Sequence, residues 1–382
     1  MGLRASTRNN RPEYGRNDEA TKEPGVLTIG RILGGMLLAV AILSGAVAST
    51  TSAASASGSL LSASQCSANR AAGTMSYVSP FGFDASAGII DVFAAEKLGY
   101  FADMCLSVDF VTSSQLPYEL VSSGRATVSN IGSAADDLGE VADGADIVGV
   151  ATYGDTSDYA LLTQPGITKL KQLEGKTFGY HSTVPVVILE MLRAAGVDVS
   201  KVQEVDTQNY DPNQLIEGQE DAIQAYQSDE PLVLRAENAK FNEFTPSEFG
   251  IRGTFNVQVF NKLFLARHEL AVKDFMRAEL HAFYFCAAHQ KRCIDIEEGY
   301  AQAAGAEYQV PHEEAVWRLE AALALDHTLP GSGVGVQSAS EWRPEAEAIE
   351  RYGIVRHVPS LGGWENTSIV ASLYDGKKLI WP

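Results

Sequence analysis

The chain has 382 residues, 45% of them hydrophobic and 20% charged, with 29 Lys plus Arg against 48 Asp plus Glu, a formal net charge of −19. That length and apolar share build more than one compact core and exclude a collagen-like, disordered or small disulfide-stapled chain. The negative charge repels nucleic acid and anionic membrane rather than attracting them, so nucleic-acid binding is not expected. Four cysteines, Cys66, Cys105, Cys286 and Cys293, are too few for a disulfide framework in so long a chain, and no CxxC or Cys/His spacing suits a structural zinc.

Residues 1–31 are polar and lead through Arg31 into the apolar run Ile32–Leu43, followed by Ala46-Val47-Ala48. A basic flank, an apolar stretch and an A-x-A site together predict a secretory signal peptide over 1–48. The alternative is an uncleaved anchor, since 32–48 as a helix spans about 25 Å, slightly short of a ~30 Å hydrocarbon core. Removing 1–48 takes away six basic and four acidic side chains and leaves a net charge of −21. Residues 49–73 are Ser/Ala-rich and read as a flexible tether; Cys66 within it lacks the preceding Leu and small residue of a lipoprotein site.

From Thr74 onward β-branched and aromatic runs alternate with helical patterns, the mark of a mostly parallel sheet covered on both faces. Strands are expected at 74–79, 106–112, 126–130 and 146–152, with helices at 84–98, 115–123 and 133–142. After an extended crossover at 158–163, a second series follows: strands 175–181, 202–206 and 222–225, and helices 183–195, 212–217 and 229–237. Strand 256–260 leads back, and the rest reads as helix at 269–289, 294–304, 313–325, 344–352 and 367–374. The expected division is lobe 1 at 74–160 plus 265–382 and lobe 2 at 161–264. Cys286 and Cys293 would lie ~10.5 Å apart on a continuous helix, beyond disulfide reach. A bridge becomes feasible if the chain folds back at His289–Arg292.

Ligands of open α/β sheets sit beyond the carboxyl ends of strands, where helix N-termini offer free N–H groups. Three junctions meet that condition: Ser79 to Asp84, Asn130 to Ser133 with capping-box spacing to Asp136, and His181 to Thr183 with Pro185 in the first turn. Ser133 and Thr183 also have the plainer role of capping their own helices. His181 is a ligand donor, a pH-sensitive gate or a satisfied strand-end side chain. Phe81, Phe83, Tyr153 and Tyr180 lie near strand ends and are candidates to sandwich a planar ring. Tyr226 and Glu230, four apart, share a helix face if that helix begins near Tyr226. There a carboxylate suits a ligand with N–H donors and repels a sulfonate. No GxSxG, HExxH or phosphate loop occurs in the sequence, so no catalytic set and no cofactor or metal is expected.

Gly88–Phe101 running into Leu106–Val111, with its Ala95-Glu96-Lys97-Leu98-Gly99-Tyr100-Phe101 helix end, resembles the substrate-binding proteins of ABC importers for sulfonates, nitrate, taurine and thiamine-pyrimidine precursors. Leu120–Val128, Leu170–Gly179 and Asp221–Pro231 are similar to further segments of that family, in the same order across about residues 75–290. The resemblance implies a two-lobed α/β periplasmic-binding-protein fold of type II with the ligand gripped between lobes. It also implies an exported, non-enzymatic and monomeric protein whose partners are a small-molecule ligand and an ABC permease. The expected ligand-binding set is Ser79, Phe81, Ser133, Tyr153, His181, Thr183, Tyr226 and Glu230, for a thiamine-pyrimidine precursor or similar heterocycle, with an alkanesulfonate, taurine or nitrate as the rival. Enzymes on the same fold, pyrimidine synthases and a desulfinase, are the alternative of another class, as is a ligand sensor. The synthases carry a cysteine-rich motif absent here, and the desulfinase needs a nucleophilic Cys where this chain has Ser79. The chain departs from the family pattern at Cys105, where Gly is common, at Thr127, where Asp is usual, and at Ser79–Asp84, which lacks the Trp and His of the pyrimidine branch.

Overall fold

The computed structural model describes residues 60–111, 116–181, 183–207, 211–358 and 360–382. The signal-peptide segment and most of the tether lie outside them. Among the described residues no helix is long and apolar enough to cross a membrane.

Ten strands form two five-stranded sheets: β1 (Thr74–Val78), β2 (Ser107–Val111), β3 (Val128–Ile131), β4 (Ile147–Gly154), β5 (Tyr159–Thr163), β6 (Thr177–Tyr180), β7 (Gln203–Asp206), β8 (Ala222–Tyr226), β9 (Asn242–Phe244) and β10 (Phe255–Asn261). The first sheet has the order β2-β1-β3-β10-β4 and the second β7-β6-β8-β5-β9. In each, the parallel strands are interrupted by one antiparallel strand: β10 runs against both β3 and β4, and β5 against both β8 and β9. The sheets are thus more mixed than expected. The 158–163 segment, read as a crossover, contains the ladder strand β5, whose five residues are all buried. β10 falls within the 161–264 stretch assigned from sequence to lobe 2, yet it hydrogen-bonds inside the first sheet.

The first sheet is covered on both faces. One core joins Met75 and Val108 to Phe275, Phe283 and Trp317 of the long C-terminal helices; the other joins Val257, Val259 and Leu138 to Trp342 and Ile349. Around the second sheet, Phe178, Ile188 and Met191 gather on one side and Leu162, Leu215 and Leu234 on the other. Burial of such side chains contributes roughly 1.5–3 kcal/mol each.

Several local expectations change. The helix expected over 84–98 begins only at Ile90, because Gly88 takes a left-handed φ of +84° and turns the chain first. The last expected helix, 367–374, is a short 3-10 turn at Ala371–Leu373 running into a hairpin of Tyr374–Asp375 with Lys378–Leu379. Residues 63–71 of the expected tether are helical, with Ser62 capping the end by accepting from Gln65 N, and Cys66 is buried. All four cysteines are bridged: Cys66 to Cys105, a pairing the sequence did not suggest, and Cys286 to Cys293, the pairing left open for a chain that folds back at His289–Arg292. The second bridge forms because the helix stops at Ala288 and the chain turns at His289, bringing the Cα atoms to 5.5 Å. Cys105 sits at φ +54°, a region that favours glycine. That conformation accounts for the glycine common there in the family it resembles.

Candidate ligand-binding site

The carboxyl ends of β1, β3 and β8 and the amino ends of the two antiparallel strands, β5 and β10, face one cavity of about 220 Å³. Both sheets supply its walls. From the first come Phe81, Asp84, Ser86, Gly132, Phe255 and Asn256; from the second, Asp158, Tyr159, Tyr226, Ser228, Asp229 and Glu230. Glu320 enters from the Val310–Asp326 helix. The loop after β1 bends around the cavity through Pro80 and Gly82, and a Cβ on Gly88 would lie 2.3 Å from Asn130 Nδ2, so only glycine fits the turn that ends it.

Five of these residues carry carboxyl groups, and no Arg or Lys is among the described lining residues. Glu320 is 4% exposed; its Oε2 accepts from Ser86 Oγ (2.7 Å), Ala87 N (2.7 Å) and Asn256 Nδ2 (2.9 Å), and its Oε1 faces Ser228 Oγ at 3.0 Å. The same Ser228 Oγ lies 2.5 Å from Asp158 Oδ2. Glu230 is 2% exposed; its Oε2 accepts from Tyr226 N at 2.7 Å, while Oε1 has no partner among the described residues, as is true of Asp158 Oδ1.

Burial dominates the acidities. It pushes the Glu230 carboxyl up to about 8, helped by the Asp229 charge, and Glu320 up to about 7 in spite of its donors. Asp158 is driven well above the usual carboxylate range by burial and then by Glu320. At the rim His312 Nε2 sits 2.8 Å from Asp229 Oδ1, and that hydrogen bond raises the imidazole's affinity for its proton. Among the described residues no group of three or more His, Cys, Asp or Glu is arranged to hold a metal ion.

The aromatic wall is a chain of rings. Tyr159 and Tyr226 stack at 4.9 Å between centroids, and Phe81 meets Tyr226 edge-on at 6.0 Å. Tyr226 Oη donates to Tyr159 Oη, and Tyr159 Oη to Asp136 Oδ2, each at 3.3 Å, which fixes the ring planes from behind.

Of the residues singled out from sequence, Phe81, Tyr226 and Glu230 line this cavity. Tyr226 and Glu230 do not share a helix face, because the helix starts at Glu230 and Tyr226 ends β8; the backbone N–H of Tyr226 reaches the carboxylate instead. Ser79 Oγ accepts from Phe81 N at 3.3 Å, and Ser133 caps its helix through Asp136 N and donates to the Asp136 carboxyl beneath Tyr159. His181 lines a narrow neighbouring recess of about 10 Å³, of which Glu230 is the shared wall. Thr183 is exposed and caps nothing, since the helix begins at Val186 behind Pro185. Tyr153 is fully buried in the first core, hydrogen-bonded to Asp91 and Glu279. Phe83 packs on Phe93, and Tyr180 lines the recess with His181.

Sequence reasoning missed Asp84, Ser86, Asp158, Tyr159, Ser228, Asp229, Asn256 and Glu320. Reading β5 and β10 as antiparallel would have placed their starts, Asp158–Tyr159 and Phe255–Asn256, at the cavity. Glu320 had its own signal: it shares a helix face with Val316, Trp317 and Ala324, all buried, and a carboxylate on such a face requires partners.

No curated protein sequence matches the chain. Its fold is similar to the periplasmic aliphatic sulphonate-binding protein of Escherichia coli (13% identity, 81% of this chain and 96% of that one, TM-score 0.57). It is also similar to a zinc-bound ligand-binding component of an ABC-type import system from Staphylococcus aureus (12%, 78% and 97%, 0.57) and to the desulfurization enzyme DSZB (11%, 78% and 98%, 0.55). These likenesses place the two sheets and their shared cleft in the periplasmic-binding-protein fold. The family described as NMT1/THI5 like matches residues 86–293, more than half of the chain, and the protein belongs to that family.

Proposed function

We propose that the protein is the exported solute-binding component of an ABC importer. Its ligand is a small planar nitrogen heterocycle rich in N–H donors, of the thiamine-pyrimidine-precursor class, and it delivers that ligand to a membrane permease. Two lobes built on the two sheets close over the ligand. The observation that carries the reading is the lining of the cavity: five carboxyl groups and the rings of Phe81, Tyr159 and Tyr226, with no Arg or Lys among the described lining residues. Ring and amino N–H groups satisfy unpartnered carboxyl oxygens such as Glu230 Oε1, and the aromatic wall takes a ring face. A sulfonate or nitrate ion would enter a cavity lined by five carboxyl groups, with no Arg or Lys among the described lining residues to pair with it. The desulfinase alternative requires a nucleophilic thiol, and all four cysteines are bridged.

Native mass spectrometry of freshly purified protein, followed by calorimetry, tests the proposal. 4-Aminopyrimidines should bind and alkanesulfonates should not, and Glu230→Gln should weaken the amine at least tenfold, about 1.4 kcal/mol. Sulfonate or nitrate binding that survives the substitution would refute it.

A further inference from the structure

Ser228 has a single hydroxyl hydrogen and stands between two buried carboxyl groups, at 2.5 Å from Asp158 Oδ2 and 3.0 Å from Glu320 Oε1. One hydrogen cannot serve both contacts. The two carboxyls differ in their other partners. Glu320 already accepts from Ser86, Ala87 N and Asn256, as an ionised group does. Asp158 is 5% exposed and has Ser228 alone, its Oδ1 being without a partner among the described residues.

We infer that in the empty cavity Asp158 is a carboxylic acid that donates to Ser228, which donates in turn to Glu320, and that a cationic ligand expels this proton to solvent on binding. The inference rests on the cavity being the ligand site. In the exchange the Asp158 O–H bond breaks, its proton passes to water, and the carboxylate left behind pairs with the ligand's N–H⁺; charge and protons balance. The surroundings favour that order. The groups facing the pair are Asp84 from the loop after β1, Asp229 from the loop after β8, Glu230 from the start of the helix that follows, and His312 and Glu313 from the Glu320 helix; β5 and β10 add only Tyr159 and Asn256. The single basic side chain in this set, His312, is engaged by Asp229. Burial and the nearby Glu320 charge support a neutral Asp158. Because the ionised form binds the cation, affinity rises with pH, and acidification releases the ligand.

The probe is 4-aminopyridine, a planar base strong enough to remain a cation across the range, so any proton exchanged comes from the protein. Calorimetry in two buffers of different ionisation enthalpy should show proton release, reduced by about one proton in Asp158→Asn. Below the carboxyl's titration in the empty protein, wild-type affinity should fall about tenfold per pH unit. Equal release by wild type and variant would overturn the inference. Infrared spectra of the empty proteins at pH 6 form a second arm: wild type minus Asp158→Asn should show one carboxylic-acid C=O band, and its absence would overturn the inference even if the probe does not bind. Failure of wild type to bind any planar amine would count against the ligand class, a result distinguishable from the infrared outcome.

Discussion

Replacing Glu230 by Gln should make the empty protein more stable while making it a worse receptor. The carboxyl is 2% exposed and is pushed up to about 8 by burial and then by the Asp229 charge, whereas its ordinary value is 4.5. Between those values the folded chain binds a proton here that the unfolded chain does not. The stability linked to that proton is complete below 4.5 and is lost as pH rises toward 8, at ~1.4 kcal/mol per pH unit. By pH 7 the loss is on the order of 3 kcal/mol. Glutamine keeps a carbonyl oxygen to accept from Tyr226 N, now at 2.7 Å from Glu230 Oε2, and has nothing to titrate. At pH 7 the variant should therefore melt above wild type, by roughly 6–10 °C if each kcal/mol moves a domain of this size by a few degrees. The gap should close near pH 4.5. Scanning calorimetry of the ligand-free proteins at both pH values measures it. A variant less stable than wild type at pH 7, or a gap independent of pH, would refute the account of Glu230 as a buried, strained acid.

Three further outcomes are expected. Gly149→Ala should lower the urea midpoint by an amount equivalent to about 1–3 kcal/mol, because the new Cβ would meet Trp342 Cη2 at 2.4 Å inside a filled core. Replacing both Cys66 and Cys105 by Ser should cost about 4 kcal/mol against about 2 for the Cys286 and Cys293 pair, since the first bridge closes 39 residues and the second 7; equal losses in denaturant titrations would contradict the loop-entropy reasoning. Terminal sequencing of mature protein should begin close to Ser49, following Ala46-Val47-Ala48, and recovery of the full chain from the cytosol would contradict export.

Patterns of period two and 3.6 carried most of the strand and helix placements, because residues such as Met75, Val128 and Ile147 are buried in ways that hydropathy records. Strand direction leaves no such trace. β5 is an unbroken buried run, and its alternation would be the same whichever way it ran, so its ligand-facing end stayed hidden. The site was half legible for the same reason. Phe81, Tyr226 and Glu230 lie at or just beyond the ends of strands of known direction, whereas Asp158 and Asn256 lie at the starts of antiparallel ones and Glu320 is brought in by a helix that begins about fifty residues beyond the last strand of either sheet. Disulfide pairing across 39 residues is a tertiary fact, and a helical stretch of Ser and Ala reads as a tether until its one apolar anchor, Cys66, is seen buried.

The position of β10 has a consequence for how the chain folds as it is made. β3 and β4 are not neighbours; β10 lies between them and hydrogen-bonds to both. Until Phe255–Asn261 is available, the first sheet ends at β3, and β4, buried along its whole length in the finished protein, has no strand to pair with. Every residue of the second sheet must leave the ribosome before the first can close, a pairing of high sequence separation and correspondingly slow formation. Gly154 and Phe255 end up directly opposite each other, so the hundred residues between them leave and return at adjacent points. A nascent chain of this design stays open for about two-thirds of its synthesis, with apolar strands unpaired.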